Sequence, residues 1–229
     1  MLLTHPIVKD LISRLGAVCP ERLLYYLNAG VNYLEVGQWV RARQFEVPCR
    51  LQTRYDLFAL AAMQIADRKV LYLEFGVASG DSIRYWTRLL RNPAAHLHGF
   101  DSFEGLPSTW IPTRPKGYFS TGGRVPQIPD SRVRFFKGWF EDTLPTYIFP
   151  DHDCLFVNMD ADLYSSTVFV LNSIQEKVRP GAFLYFDEFN HRADELRAFD
   201  EFLEATGWRF RLVGATRGLE GVLFQREWE

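Results

Sequence analysis

Cysteine is scarce in this chain. There are three, Cys19, Cys49 and Cys154, widely separated and with no CxxC pair. A disulfide scaffold and a zinc ribbon are thereby disfavoured, and a reducing compartment fits. Cys154 opens an apolar run and reads as a small core residue. Long hydrophobic runs are also missing, so no segment of the sequence suits a bilayer. The opening MLLTHPIVKDLISRLGAV is interrupted by His5, Pro6, Lys9 and Asp10 before an apolar signal core can form. The expectation is a soluble, cytoplasmic protein with no membrane partner. Neither sign of charge dominates, with 26 Lys and Arg against 28 Asp and Glu and a net charge of −2. Without a basic patch or a charged tail, no nucleic-acid partner is expected. Repeats and low-complexity tracts are absent as well. So are the GxGxxG and GxxxxGK[ST] spacings that mark pyrophosphate and triphosphate loops.

What is present is a large apolar fraction, 47% over 229 residues, which suits one sizeable α/β domain. Residues 1–50 read as a helical N-terminal cap, or a homo-oligomer contact, and residues 51–229 as the main domain. A helix is expected over Asp56–Asp67, rich in Ala, Leu and Met. Strands and helices then alternate. Strands are expected at Val70–Val77, His96–Ser102, Val133–Trp139, Leu155–Asp160, Ala182–Asp187, Arg209–Gly214 and Gly221–Gln225. Helices are expected at Asp81–Leu90, Ser165–Val178 and Ala193–Thr206. Runs such as CLFVNM and AFLYF are almost continuously apolar, as strands covered on both faces must be. This pattern predicts a doubly wound, mostly parallel Rossmann-like sheet. Ligands on such sheets bind beyond the carboxyl ends of the strands.

Those strand ends carry acids or glycines throughout. The first is EFGVASG, where Gly76 and Gly80 permit a tight turn and close approach of backbone to ligand. Glu74, two residues before the first glycine, suits a cationic ligand better than a pyrophosphate. S-adenosylmethionine, with its ammonium and sulfonium groups, fits that end, and a nicotinamide dinucleotide does not fit the glycine spacing. Asp101, closing the next strand, can take both ribose hydroxyls of a nucleoside; otherwise it caps the turn with Ser102. Trp139, after the third strand, can lie against adenine or pack in the core. The cofactor-side candidates are Glu74, Gly76, Ser79, Gly80, Asp81, Ser82, Asp101, Ser102, Gly138, Trp139 and Asp160. At the fourth and fifth strand ends, NMDADLYSST and YFDEFN bring Asp160, Asp162, Asp187 and Glu188 together. Crowded carboxylates repel unless they share a cation, and oxygen donors suit magnesium, manganese or calcium. Alternatively Asp162 caps the next helix and Glu188 is solvated. His191 is a candidate base beside them. Phe103–Asp130, with five prolines, is too long for a plain connector. It reads as a lid whose Trp110, Tyr118 and Phe119 could cover an acceptor.

From Arg54 to Asn190 the chain resembles the macrocin O-methyltransferase family of S-adenosylmethionine-dependent enzymes. The marks are LEFGVASGDS, GFDSFEGLP, KGYFSTGG, FFKGWFEDTLP, DADLYSST and PGAFLYFDEF. The resemblance implies a seven-stranded methyltransferase sheet with its last strand antiparallel. It implies methyl transfer to a hydroxyl of a small-molecule acceptor, a sugar or another secondary metabolite. It also implies Mg2+ held by Asp160, Asp187 and Glu188, with Asp162 as the general base. The chain departs from the family pattern twice. Ala161 stands where glycine is usual, and Glu188 stands where a second aspartate is usual. A metal-independent methyltransferase, and a cofactor-binding protein without chemistry, are the alternative readings.

Overall fold

The structure, a computed structural model, describes residues 5–228, so Met1–Thr4 of the expected N-terminal cap, and Glu229, lie outside the described residues. Seven helices and eight strands follow in order: α1 (Pro6–Val18), α2 (Glu21–Ala42), β1 (Arg50–Leu51), α3 (Arg54–Ile65), β2 (Val70–Phe75), α4 (Asp81–Leu89), β3 (His96–Asp101), β4 (Val133–Lys137), α5 (Phe140–Thr143), β5 (Cys154–Met159), α6 (Tyr164–Ile174), β6 (Phe183–Phe186), α7 (Glu195–Thr206), β7 (Phe210–Thr216) and β8 (Val222–Arg226). One sheet holds all the strands in the order β1-β7-β8-β6-β5-β2-β3-β4. All pairings are parallel except those of β8, which runs antiparallel to both β6 and β7.

The expected sheet is therefore present, with the last strand antiparallel, and gains one strand. β1 is two residues long and lies parallel to β7 at the edge, through Arg50–Ala215 and Leu51–Thr216. Two residues carry no readable alternation, which is why the sequence does not announce it. Its pairing ties the start of the main domain to the far edge of the sheet.

The strand period of two sorts β2 onto both faces. Leu71, Leu73 and Phe75 enter the core that includes Val170, Ile174, Phe199 and Phe202 of α6 and α7. Val70 and Tyr72 enter the core formed with Leu57, Phe58, Ala61, Ile83 and Trp86 of α3 and α4. Glu74, at the next even position, thus points to the α3–α4 side. α3 starts from a capping box, in which the Asp56 amide donates to Thr53 Oγ1 (3.3 Å) and the Thr53 amide donates to Asp56 Oδ2 (2.9 Å). That box fixes where Arg54, the first residue of α3, begins.

The N-terminal segment docks through the second half of α2 and the residues that follow it, Phe45 and Val47 among them. Trp39 packs against Phe45, Phe189, Phe199 and Phe224 and donates from Nε1 to Asp200 Oδ1 (2.5 Å). No residue of α1 is buried. Ile7 is 72% exposed, Val18 79% and Leu34 of α2 70%. No helix among the described residues is long and apolar enough to cross a membrane.

Candidate functional site

β2 lies where the strand order reverses, with β3 on one side and β5 on the other. Loops leaving these three strand ends part there and open a cleft of about 960 Å³. Glu74, Gly76, Ser79, Asp81, Ser82, Asp101, Ser102, Gly138, Trp139, Asp160, Asp162, Asp187 and Glu188 all line it. Two of the expected residues do not. Gly80 is the left-handed N-cap of α4 (φ 78°) and lies against Pro126. His191 packs under Trp110 (ring centroids 4.8 Å apart), with Nδ1 3.8 Å from Asp194 Oδ2. Burial holds its pKa below the usual histidine value. His191 therefore packs within the loop and does not line the cleft.

The floor of the cleft requires glycine at 76. Its φ is +92°, and a Cβ there would stand 1.9 Å from the Asp160 carbonyl oxygen. The ends of β2 and β5 close on each other at that point, leaving space above for a ligand. Glu74 is almost fully buried beside it, and Tyr72 Oη donates to its Oε2 at 2.6 Å. Asn158 Nδ2 donates in turn to Tyr72 Oη at 3.1 Å. Burial above all pushes the Glu74 carboxyl up to about 8. A buried acid of this kind gains most from a bound cation, which is what the ammonium end of S-adenosylmethionine offers. The chemistry of the site fits that cofactor.

Asp101 is more constrained than its sequence position suggests. Its Oδ2 accepts from the amides of Val77 (2.7 Å) and Ala78 (2.8 Å), and its Oδ1 from Phe103 N (2.7 Å). A carboxylate has roughly four acceptor directions. About one direction is left unused by the described residues, too few for the bidentate contact that the sequence suggests. The main task of Asp101 in the structure is to fix the glycine turn.

The four acids of the β5 and β6 ends do converge, and they meet arginines. Arg54 Nη1 lies 2.9 Å from Asp160 Oδ2, and its Nη2 lies 2.7 Å from Asp187 Oδ2. Tyr185 Oη donates to Asp187 Oδ1 (2.5 Å). Arg114, from the long loop, reaches Glu188 Oε1 at 3.3 Å. The Glu188 amide donates to Oε2 of the buried Glu195 (3.0 Å). Burial first, and then neighbouring acids, raise Asp160, Asp162 and Glu188; burial raises Asp187 while Arg54 and Tyr185 pull it down. Burial acts to lower Arg54, but Asp187 and Asp160 outweigh it and hold it above its ordinary value.

Asp162 differs from the other three. It is 8% exposed, sits in the left-handed region (φ 59°), and its carboxylate receives no hydrogen bond or ion pair from the described residues. Burial, and next the nearby Glu188, push its carboxyl up to about 7, with Arg114 opposing. A left-handed conformation at a non-glycine residue costs energy and marks a position that the surroundings enforce. Here it aims an acid of near-neutral pKa into the cleft.

The magnesium expectation for Asp160, Asp187 and Glu188 does not fit this arrangement. Among the described residues no three His, Cys, Asp or Glu side chains stand close enough to hold a metal ion. The physical reason is that guanidinium groups occupy the carboxylate faces a metal would need. Sequence reading also passed over Arg54 and Arg114. An arginine that meets its acid 106 residues later leaves no local pattern.

The loop from 103 to 130 closes over this floor as a self-folded unit. Leu106 N donates to Tyr118 O and Gly117 N to Leu106 O, both at 2.9 Å. Arg114 lies over Trp110 and Phe119 (4.8 and 5.4 Å to the ring centroids), and Trp110 Nε1 donates to Asp194 Oδ2 (2.8 Å). Phe119 lines the cleft, as the acceptor-covering reading expects, whereas Trp110 latches the loop to the segment before α7.

Comparison with known proteins follows the same line. Residues 124–213 match the macrocin O-methyltransferase (TylF) family. The chain is 31% identical to a mycinamicin III 3''-O-methyltransferase from Micromonospora griseorubida, over 57% of this chain and 47% of that one. It is 30% identical to an 8-demethyl-8-(2,3-dimethoxy-alpha-L-rhamnosyl)-tetracenomycin-C 4'-O-methyltransferase from Streptomyces olivaceus, over 51% of this chain and 52% of that one. The chain thus spans about half the length of these curated relatives. Among solved structures, the O-methyltransferase NovP superposes with a TM-score of 0.62 at 24% identity, over 76% of this chain and 80% of that one. At that identity the likeness establishes the methyltransferase fold.

Proposed function

From the likeness to the macrocin O-methyltransferase family, we propose that this chain transfers a methyl group from S-adenosylmethionine to a hydroxyl of a small molecule, a sugar or another secondary metabolite. The observation that carries the reading is Asp162, a buried acid without a partner, aimed into the same cleft as Glu74 and the Gly76 turn. The names of the relatives, all O-methyltransferases of such metabolites, support the acceptor class.

When bound, S-adenosylmethionine supplies a methyl group already activated by its sulfonium, and the C–S bonding pair leaves with sulfur. The chain has to orient the acceptor and take one proton. Glu74 faces the ammonium end, and Asp101 offers its remaining acceptor direction to the ribose. Asp162 accepts the hydroxyl proton as the acceptor oxygen forms its new bond to carbon. With a pKa of about 7, Asp162 is ionised in a useful fraction at neutral pH and is still basic enough to take a proton. Phe119 and the loop above exclude water. Orientation of this kind is worth effective molarities on the order of 10⁵ M or more.

Titration calorimetry tests the cofactor side. S-adenosylhomocysteine is expected to bind and NAD to bind far more weakly. Glu74 has a pKa of about 8 in the free protein and is largely protonated at pH 7. Binding an ammonium group favours its ionised form, so binding at pH 7 should release up to about one proton. The measured heat should therefore depend on the ionisation enthalpy of the buffer, and Glu74→Gln should remove most of that dependence. NAD binding as tight as S-adenosylhomocysteine would overturn the cofactor reading. Heat that does not vary with buffer would remove Glu74 from its role.

A further inference from the structure

Arg54 is placed where the charge balance of the strand-end acids is decided. The Thr53–Asp56 capping box pins the start of α3, and from there the guanidinium spans the ends of two adjacent strands. One nitrogen meets Asp160 after β5 and the other meets Asp187 after β6, at 2.9 and 2.7 Å. Both contacts are of charge-assisted length. A guanidinium stays charged at every accessible pH and presents its donors in a rigid plane. It can therefore hold two acids at a fixed separation, as a shared metal ion would. A magnesium ion demands oxygens at about 2.0–2.1 Å in near-octahedral array. The oxygens that would converge on it here, Asp160 Oδ2 and Asp187 Oδ2, are the two that Arg54 engages. The second oxygen of Asp187 is taken by Tyr185, and Glu188 is drawn aside by Arg114. Asp162 alone is left without a cationic contact.

We propose that Arg54 is the fixed cation of this site, a positioning residue that joins Asp160 to Asp187 in place of a divalent metal and leaves Asp162 free to act as base. The consequence for turnover rests on the methyl-transfer reading; the arrangement itself does not and is tested without turnover. Arg54 offsets one of the pair's two negative charges, weakens the repulsion between their carboxylates, and excludes a second cation from the same space.

The experiment titrates Mn2+ into the 229-residue chain loaded with S-adenosylhomocysteine, reading free Mn2+ by electron paramagnetic resonance. The wild type is expected to take up no stoichiometric Mn2+. Arg54→Met removes the competing charge, and should bind Mn2+ on the order of tenfold or more tightly than wild type, since a unit charge about 4 Å away is lost. Adding Asp187→Asn to that variant should abolish the gain. Arg54→Lys keeps the charge and should still exclude Mn2+. Stoichiometric uptake by the wild type that is lost in Asp160→Asn would overturn the proposal, as would a folded Arg54→Met variant with no gain. Should Arg54→Met fail to fold, the wild-type titration and Arg54→Lys still decide. Uptake by Arg54→Lys comparable to an intact metal site would overturn the proposal equally. Failure of S-adenosylhomocysteine to bind at all would instead count against the methyl-transfer reading, and the same titration on the unloaded protein would still judge Arg54.

Discussion

Asp162→Asn is expected to reduce methyl transfer by a factor on the order of 10² to 10⁴, the usual contribution of a positioned base, while S-adenosylhomocysteine binds as tightly as to wild type. The substitution keeps the shape of the side chain and removes its proton affinity. The residue is 8% exposed and its carboxylate is engaged by no described group, so the change breaks no hydrogen bond and no ion pair. Asparagine also tolerates the left-handed backbone that position 162 adopts. Stability should thus be preserved or slightly improved at neutral pH, where a buried acid with a raised pKa costs energy to ionise. The sign follows from proton binding: the folded state holds this proton up to about pH 7, the unfolded chain releases it near pH 4, so this group lowers stability as pH rises through that window. In the wild type, transfer should rise with pH through about 7 for the same reason. Kinetics on the variant, with calorimetry beside them, check the two halves of the prediction separately. Full activity in Asp162→Asn would remove it as the base.

Gly76→Ala should destabilise the fold by about 2–5 kcal/mol, combining a strained left-handed backbone with overpacking. A Cβ at 76 would lie 1.9 Å from the Asp160 carbonyl oxygen, at a φ of +92°. Neither chain can yield cheaply, since Asp160 N donates to Phe75 O and Gly76 N to Phe100 O and so join three adjacent strand ends. Any relief would displace the Asp160 carboxylate and close the cofactor space, so binding of S-adenosylhomocysteine should fail as well. Gly122→Ala provides the control. It has a similar backbone, φ +67°, with nothing within 4 Å of the added carbon. It should cost only the backbone part, about 1 kcal/mol. Urea unfolding of both variants gives the comparison, and equal losses would show that the close approach of β2 and β5 is unimportant.

The legible part of this protein was its strand ends. Continuous apolar runs such as CLFVNM have few structural meanings, so β2, β5 and β6 and their parallel pairing follow from composition and alternation. Because ligands on such a sheet bind beyond the carboxyl ends of its strands, Glu74, Asp160, Asp162, Asp187 and Glu188 could be named from their places at those ends. What those acids meet could not. Arg54 and Arg114 reach them across long stretches of chain, and nothing in the sequence says which of 26 basic residues will do so. The magnesium expectation does not fit the site for that reason: it counts the anions and misses the cations. Asp101 shows a related limit. Its place after β3 is readable, but the three backbone amides it holds depend on how the glycine turn folds back. His191 shows the same limit, since a loop histidine gives no sign of which aromatic will cover it, here Trp110.

The most direct test of the central claim follows the methyl group itself. The protein, supplied with S-adenosylmethionine labelled in its methyl group, is offered a panel of glycosides and polyhydroxylated metabolites, and the labelled product is located by carbon NMR. The account predicts label in a new methyl ether, formed by the wild type and slowed in Asp162→Asn on the scale given above. Label on nitrogen or carbon, or equal transfer by the two proteins, would contradict it.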